Sequence, residues 1–264
     1  MAAPIPLDAP VMTATVPRKA LATRELSARV GAPVNVRSTH HEAPVLGLAH
    51  GGFMTLATDF AQLSPTTLAD ILTRDRVMDI GIRPLWPAMP RIAGPAYPVR
   101  CPPGDNLMLH AAIYRATPGA VIVCEAGDVD YAVAGGNVCA VAQKRGIAGF
   151  VVDGVIRDVA ETRARGFAVF ARGVIPIPGT KDAVGVLDGP VRCGGVTVEP
   201  GDIVVADEEG IVVVPAAQAA HVLKAAEARA AKDAGETLEA WEAAHRSRIE
   251  AILEQKGVAG WIRR

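Results

Sequence analysis

Two short segments carry groups that suit the binding of a small acid and a metal ion. The first is Asp153–Asp158, with the sequence DGVIRD, at the end of an apolar run that reads as a buried strand. The guanidinium of Arg157 can donate hydrogen bonds to a carbonyl or carboxylate oxygen and stabilise negative charge there. Asp158 offers the hard oxygen ligand that Mg²⁺ or Mn²⁺ prefers. The segment predicts a divalent-metal site at a strand end, where α/β proteins bind ligands. The alternative is a salt-bridged surface turn in which Asp158 caps the following helix.

The second segment is Gly135–Val138, in which two glycines open a predicted helix. Glycine lets a ligand approach the backbone, and the unpaired amides of a first helical turn attract carboxylates. We expect Gly135, Gly136, Asn137 and Val138 to bind a substrate carboxylate through these amides. The alternative is a tight loop that needs glycine only for its backbone angles. The dinucleotide fingerprint GxGxxG and the phosphate-loop sequence GK[ST] are both absent from this segment.

Three further candidates have weaker support. His40-His41-Glu42 lies in a proline-rich stretch without spaced metal-ligand partners, which favours a polar loop. His110 falls on the apolar face of a predicted helix, which favours a core or interface histidine. Lys144 lies in the middle of another predicted helix beside Arg145, so a Schiff-base mechanism is not expected.

The elements around these segments alternate between strands and helices, which favours an α/β architecture with a largely parallel sheet. Ser64 followed by Pro65 is a typical helix start, and helical periodicity covers Leu107–Arg115. The proline-rich stretch Pro84–Pro103 leads to Gly104-Asp105-Asn106 and is assigned no helix or strand. The remaining elements of this half are the strands Ala120–Cys124 and Gly149–Asp153 and the helices Asn137–Arg145 and Val159–Arg165.

A strand-rich half follows, and the chain then becomes helical. Residues from Ala216 to about Lys256 are rich in Ala, Glu, Lys and Arg. We therefore divide the chain into a proline-rich arm at 1–55, a catalytic domain at 56–215 and a C-terminal helical extension at 216–264. The predicted strands of the second half are Val184–Leu187, Val196–Val198, Ile203–Ala206 and Ile211–Val214.

Composition and charge indicate which binding partners and which cellular compartment to expect. The 264 residues are half hydrophobic with a formal net charge of −1, and no basic stripe predicts nucleic-acid binding. No apolar run approaches the ~20 residues that span a bilayer, and no secretory signal is evident. We expect a cytoplasmic protein that binds neither membrane nor nucleic acid. The four cysteines form no CxxC pair and are expected to be buried free thiols; they are Cys101, Cys124, Cys139 and Cys193.

Together these residues resemble a family that joins class II 4-hydroxy-4-methyl-2-oxoglutarate and 4-carboxy-4-hydroxy-2-oxoadipate aldolases with RraA-type regulators of ribonuclease E. The resemblance covers about residues 63–233, and Ala132–Asp158 is its most specific stretch. Pro102–Leu107, Ile175–Pro176 and Gly194–Asp202 support it. The resemblance implies a compact β/β/α fold of the swivelling phosphohistidine-domain type. It also implies homotrimers or homohexamers with sites between subunits.

The resemblance assigns a role to each candidate residue. The amides of Gly135–Val138 would hold the pyruvyl carboxylate of a small 2-oxo acid. Arg157 would contact its 2-oxo oxygen, and Asp158 would hold Mg²⁺ or Mn²⁺ largely through water. An acid from the C-terminal part of a neighbouring subunit, Asp233 or Glu236, would complete the site.

This chain departs from the resemblance at one position. The characterised aldolases carry an acid where Gly136 stands, and that acid helps to order the catalytic water. Either another acid replaces it, or the substrate differs, or the aldolase activity is weak. The acids nearest in sequence are Asp128, Asp130 and Asp153.

The predicted function is a metal-dependent lyase that cleaves a 4-hydroxy-2-oxo acid to pyruvate by a retro-aldol reaction. Oxaloacetate decarboxylation is a natural side reaction, because it passes through the same enolate, which metal and Arg157 would stabilise. One alternative is a non-catalytic RraA-type regulator of ribonuclease E, although some regulators lack the aspartate that Asp158 supplies here. Another is a different enolising reaction on a 2-oxo acid.

Overall fold

The computed structural model describes residues 56–258. The proline-rich arm and His40-His41-Glu42 lie outside the described residues, so the interpretations of them stay predictions. Among the described residues, no helix combines the length and the apolar character that crossing a bilayer requires.

A single mixed sheet forms the centre of the fold, as the sequence predicts for an α/β protein. Its strands lie in the order β1-β5-β4-β3-β2-β9-β10, and β6 pairs with β2. The edge strands β1 and β10 contact each other, so the sheet is nearly closed into a barrel. The strands are β1 (Arg83–Pro84), β2 (Ile92–Arg100), β3 (Val121–Glu125), β4 (Gly149–Ile156), β5 (Val169–Val174), β6 (Val186–Leu187), β7 (Val191–Cys193), β8 (Val196–Val198), β9 (Ile203–Asp207) and β10 (Gly210–Val214).

The helices connect the parallel strands and cover the sheet. β2, β3, β4 and β5 are parallel neighbours, and a helix crosses over between each consecutive pair, as parallel pairing requires. The α-helices are α1 (Pro65–Ala69), α2 (Leu107–Arg115), α3 (Gly136–Lys144), α4 (Val159–Ala164), α5 (Ala219–Gly235) and α6 (Leu238–Gln255), with short 3₁₀ turns at Arg74–Arg76 and Ala216–Gln218.

Local signals placed most of these elements correctly. Ser64 caps α1 by accepting a hydrogen bond from the Thr67 amide, and Pro65 occupies the first helical position. Gly146 follows α3 with φ +78°, a left-handed conformation that glycine adopts without strain. These confirm the predicted helix start and the predicted helix stop.

Strand β2 adds to the sequence interpretation, which assigned no element to Pro84–Pro103. β2 lies in the interior of the sheet although it contains Pro95 and Pro98. Proline is tolerated because the second neighbour of β2 changes along its length. Residues 92–95 pair with β9 and residues 99–100 pair with β6, so Pro98 lies in the gap where only β3 is paired.

The core has two parts, one on each side of the sheet. The larger part contains the fully buried Val123, Val151 and Phe170 together with α2 and α3. The smaller part joins Phe60 and Leu68 to β9, β10 and the first half of α5. All four cysteines are buried free thiols, as predicted.

The C-terminal region is two helices rather than one continuous helical stretch. α5 ends at Gly235, and Thr237 caps α6 by accepting a hydrogen bond from the Ala240 amide. The first half of α5 packs on the core through Val222 and Ala226, whereas α6 has no buried residue.

Candidate active site

The two predicted segments meet beside the C-terminal end of β4. The extended residues 132–134 run along this end: the Val133 amide donates to the Val155 carbonyl at 3.0 Å, and the Arg157 amide donates to the Ala134 carbonyl at 2.9 Å. This pairing places the glycines that open α3 directly against the residues that leave β4. Backbone hydrogen bonding therefore joins segments that lie about 20 positions apart.

A β-bulge and a left-handed residue direct the side chains at this point. Between Val152 and Val155, β4 advances three residues while β5 advances two, so one extra residue is accommodated. Asp158 then has φ 57° and ψ 39° at the N-cap position of α4. Aspartate tolerates this conformation better than most residues, and it turns the chain sharply into α4.

Asp158 does not cap its own helix, which was the alternative interpretation of the sequence. Its side chain makes no capping hydrogen bond in α4. Instead Oδ2 accepts a hydrogen bond from the Gly136 amide at 3.1 Å and lies 3.4 Å from Nε of Arg157. The Gly136 amide, predicted to bind a substrate carboxylate, therefore already has a partner. The amides of Asn137 and Val138 follow in the same turn and precede the first intrahelical bond, from Cys139 to Gly135.

Gly135 and Gly136 stand where a side chain would have no room, and neither is required by an unusual backbone angle. Gly135 is extended, with φ −155°, and Gly136 is not among the residues with positive φ. A Cβ on Gly135 would lie 2.5 Å from Oδ2 of Asp158, and a Cβ on Gly136 would overlap Oε2 of Glu161. Both glycines therefore leave room for a carboxylate, and Glu161 occupies the space of a side chain at position 136.

These groups line a cavity of about 200 Å³. This volume is below the ~300–1,000 Å³ of sites for drug-sized ligands, so it favours a small substrate. Arg157 and Lys181 contribute positive charge, and Asp158 and Glu161 contribute carboxylates. The neutral polar lining residues are Asn106, His110 and Asn137, and the others are Ala132, Ala134, Gly135, Val138 and Pro178.

His110 is half-buried in this cavity and its imidazole is held neutral. Burial, followed by the charge of Lys181, lowers its pKa to about 4, and Arg157 acts in the same direction. The backbone at Val133 and the charge of Asp105 oppose this shift. At neutral pH the ring therefore has one nitrogen that donates and one that accepts.

The other acids considered from the sequence lie elsewhere. Asp128 accepts hydrogen bonds from the backbone amides of Gly104, Asp130 and Tyr131. Asp153 pairs with Arg172 and accepts from the Gly194 amide. Neither these two nor Asp130 lines the cavity.

The C-terminal acids and Lys144 also lie outside the cavity of this chain. Asp233 accepts hydrogen bonds from Nε of Arg229 at 2.9 and 3.1 Å, and Glu236 is exposed at the end of α5. Lys144 does not line the cavity either.

Sequence reasoning missed four cavity residues. Glu161 follows Asp158 by three positions on α4, a helical spacing that places two side chains on neighbouring parts of one face, so this signal was available. His110 was assigned to the core or an interface. Asn106 appeared only within Pro102–Leu107, which supported the resemblance, and nothing in the local sequence of Lys181 marks it.

The carboxylates of Asp158 and Glu161 fit a divalent ion that keeps most of its own water, which is the usual behaviour of Mg²⁺. Within residues 56–258, no group of three or more His, Cys, Asp or Glu side chains is arranged to hold a metal ion. The cavity therefore fits a partly hydrated ion and does not fit a closed, all-protein cage.

Comparison with known proteins decides the family. The family model "RraA-like: Aldolase/RraA" matches residues 65–213, which run from the start of α1 into β10. The chain belongs to the RraA-like family. An RraA-like relative from Halalkalibacterium halodurans is 40% identical over 177 residues, covering 67% of this chain and 84% of the relative. That protein is named "Putative 4-hydroxy-4-methyl-2-oxoglutarate aldolase".

Solved structures agree with the RraA-like fold. Streptomyces coelicolor RraAS2, described as an unusual member of the RNase ES inhibitor RraA family, is 29% identical with a TM-score of 0.58. It covers 74% of this chain and 98% of its own. An uncharacterized protein from Pseudomonas syringae pv. tomato is 28% identical with a TM-score of 0.60, covering 70% and 92%. The predicted family and fold are therefore confirmed.

Proposed function

We propose that this RraA-like protein is a divalent-metal-dependent lyase that cleaves a 4-hydroxy-2-oxo acid to pyruvate. The observation that carries the proposal is the pairing of Arg157 with Asp158 at the N-terminus of α3, inside a small cavity. A guanidinium, a carboxylate and free helical amides are the groups that a 2-oxo acid and its metal ion require. The name of the Halalkalibacterium halodurans relative supports the same reaction class.

Each protein group has a role in binding. The amides of Asn137 and Val138 hold the substrate carboxylate at the positive end of α3. The guanidinium of Arg157 donates to the 2-oxo oxygen and stabilises the charge that develops there. Asp158 holds Mg²⁺ or Mn²⁺, which supplies Lewis-acid stabilisation of that oxygen.

The reaction then needs one proton acceptor. The 4-hydroxyl loses its proton, the C3–C4 bond breaks, and C4 becomes the carbonyl carbon of the second product. The electron pair of the broken bond becomes the enolate of pyruvate, which takes a proton at C3. Glu161 fills the space that a side chain on Gly136 would occupy, so it is the acid best placed to order the water that accepts the first proton.

Oxaloacetate is a second substrate of the same chemistry. Its decarboxylation breaks a bond at C3 and leaves the same enolate, so Arg157 stabilises it in the same way. The assembly proposed with this function is a homotrimer or homohexamer. In that assembly Asp233 or Glu236 from a neighbouring subunit approaches the cavity.

The second candidate function is that of a non-catalytic regulator, favoured by the similarity to RraAS2. Such a protein would not need a carboxylate turned back onto the first amide of α3, as Asp158 is here. A different enolising reaction on a 2-oxo acid would use the same cavity. Assaying the protein with several 2-oxo acids as substrates distinguishes that reaction from the retro-aldol cleavage.

The test is pyruvate release from oxaloacetate and from 4-hydroxy-4-methyl-2-oxoglutarate in the presence of Mg²⁺. Wild-type protein is expected to release pyruvate from both acids, and Arg157→Ala and Asp158→Ala are expected to lose most of the activity. Arg163→Ala, an exposed arginine on α4, is the matched control and should match the wild type. Equal rates for all four proteins, or no pyruvate from either acid, would refute the lyase.

A further inference from the structure

Lys181 reaches the cavity from a connecting segment with little regular structure. The segment runs from the end of β5 at Val174 to the start of β6 at Val186. Lys181 lines the cavity, and within residues 56–258 its ammonium has no ion-pair partner. It therefore places an unneutralised charge at the cavity, and the use of that charge in binding an anion depends on what holds the segment.

Asp105 holds this segment from the turn before α2. Only 3% of the residue is exposed. Its Oδ2 accepts hydrogen bonds from the amide of Asp182 at 2.6 Å and from the amide of Ala183 at 3.1 Å, while Oδ1 accepts from the amide of Leu107 at 2.7 Å. Burial raises the pKa of Asp105, but the hydrogen bonds that it accepts outweigh this and hold the pKa below its ordinary value. The carboxylate is therefore charged at neutral pH, and charge-assisted hydrogen bonds are stronger than neutral ones.

Thr180 binds the same carboxylate. Its hydroxyl lies 3.0 Å from Oδ2 of Asp105 and 3.4 Å from the Gly104 carbonyl, so the nearer, charged oxygen is the better acceptor. The Thr180 amide also donates to the Gly104 carbonyl at 2.8 Å, and its carbonyl accepts from the Asn106 amide at 2.9 Å. The residues directly before and after Lys181 are thus bound to one oxygen, which fixes the backbone from which the lysine side chain leaves.

Asp105 does not itself line the cavity, so it acts on a ligand only through the residues that it holds. We infer that Asp105 is a positioning residue that places Lys181 at the cavity for binding the anionic substrate. The inference rests on the proposed function, because it takes the anion that Lys181 binds to be the 2-oxo acid. It gives Asp105 a role in substrate affinity and none in the chemical step.

Asp105→Asn tests the inference with little change in shape. An amide accepts through only one oxygen, and its NH₂ group would face backbone amides that themselves donate. We expect KM for oxaloacetate to rise between about threefold and about tenfold at low salt, and this difference to shrink at high salt, because the misplaced group is an exposed charge. The kcat should stay within about twofold of the wild type, as for a group that binds ground state and transition state alike.

A double-mutant cycle with Lys181→Met distinguishes positioning from a general structural role. If Asp105 acts through Lys181, Asp105→Asn raises KM in the wild-type background and leaves it unchanged once Lys181 is replaced by methionine. Hydrogen exchange should be faster at the Asp182 and Ala183 amides in Asp105→Asn, because these amides lose their acceptor.

Two further variants control for effects of folding. Thr180→Val removes one hydrogen bond to Asp105 and should raise KM by a smaller factor; it takes the place of Asp105→Asn in the cycle if that variant does not fold. Asp202→Asn is the matched control, because Asp202 is also buried and accepts from the amides of Glu199 and Ala216 at 3.0 and 2.9 Å without lining the cavity. Its KM should match the wild type even if its midpoint of thermal unfolding falls as far as that of Asp105→Asn.

Three outcomes overturn the inference. An equal rise in KM from Asp105→Asn in the Lys181→Met background would show that Asp105 acts independently of Lys181. An unchanged KM in folded Asp105→Asn or, where that variant does not fold, in Thr180→Val would remove Asp105 from substrate binding. An equal rise in KM in Asp202→Asn would trace the effect to lost stability.

Failure of the proposed function gives a different result. If the wild type binds oxaloacetate but releases no pyruvate, the lyase fails, and the same cycle on the Kd from titration calorimetry decides the inference. If the wild type does not bind oxaloacetate, both fail.

Discussion

The carboxylate of Glu161 occupies the space that a side chain on Gly136 would need, since a Cβ there would overlap its Oε2. An acid on α4 thus stands beside a glycine on α3, at the position where the resemblance led us to expect an acid. This position of Glu161 is the reason that we propose it as the acid that replaces the one absent at Gly136. The acid reaches the same volume from a different element.

Gly136→Ala should displace Glu161, because the new Cβ has no room while the carboxylate keeps its position. We expect kcat/KM for the retro-aldol reaction to fall by about 100-fold, the loss that a displacement of about 1 Å can cause. Glu161→Gln should cause a similar loss without the steric change. Steady-state kinetics of both variants measure this.

The control for this substitution is Gly235→Ala. A Cβ on Gly235, at the end of α5, meets nothing within 4 Å, and alanine favours a helix over glycine. Full activity in Gly136→Ala together with full activity in Gly235→Ala would show that the space beside Glu161 is not critical.

Asp158→Asn should separate the charge of Asp158 from its backbone conformation. Asparagine tolerates the left-handed conformation that Asp158 adopts, so the midpoint of thermal unfolding should change little. The affinity for Mn²⁺, measured by titration calorimetry, should fall at least about tenfold. Asp130→Asn, an exposed aspartate outside the cavity, should bind Mn²⁺ as the wild type does. Wild-type affinity in Asp158→Asn would exclude Asp158 as the metal ligand.

His110 should make the protein less stable as the pH falls. Its pKa is about 4 in the folded protein and 6.5 in the unfolded chain. Between these values the unfolded state binds more protons, so the free energy of unfolding rises with pH across this window. The contribution of His110 is fully present above about pH 6.5 and is lost as the pH falls through about 4.

Urea unfolding of the wild type and of His110→Gln from pH 4 to 7 measures this contribution. The difference in free energy between the two proteins should change across the window and become constant above it. A difference that does not depend on pH would contradict the lowered pKa. His221→Gln, on the exposed face of α5, is the matched control and should differ from the wild type by an amount that does not depend on pH in this way.

Lys181→Met should weaken substrate binding more than it slows the chemical step. The ammonium lines the cavity at its exposed side, so it attracts an anionic substrate through a screened interaction. We expect KM to rise about tenfold at low salt and the difference from the wild type to shrink at high salt. Lys144→Met, outside the cavity, should leave KM unchanged. A fall in kcat alone would place Lys181 in the chemical step instead.

The sequence predicted those parts of the fold and site that depend on local signals. The helix at Leu107–Arg115, the helix start at Ser64 and the place of Arg157 and Asp158 at a strand end follow from periodicity, capping and the strand pattern. β2 was missed because its prolines are tolerated only through a change of neighbouring strand. Glu161 was missed although its helical spacing from Asp158 was visible in the sequence. Lys181 was missed because tertiary packing, and not local sequence, brings the segment after β5 to the cavity.

The extra residue in β4 also governs how this chain tolerates changes in length. Side chains along a strand alternate between two faces, so the face on which Arg157 emerges depends on whether the number of residues before it is odd or even. If the bulge is kept, deleting Gly154 slides the following residues by one position, so that Ile156 takes the place of Val155 opposite Gly173 and Arg157 turns towards the opposite face. Relatives that share this chemistry should therefore keep the number of residues in β4 constant even where the residues themselves differ.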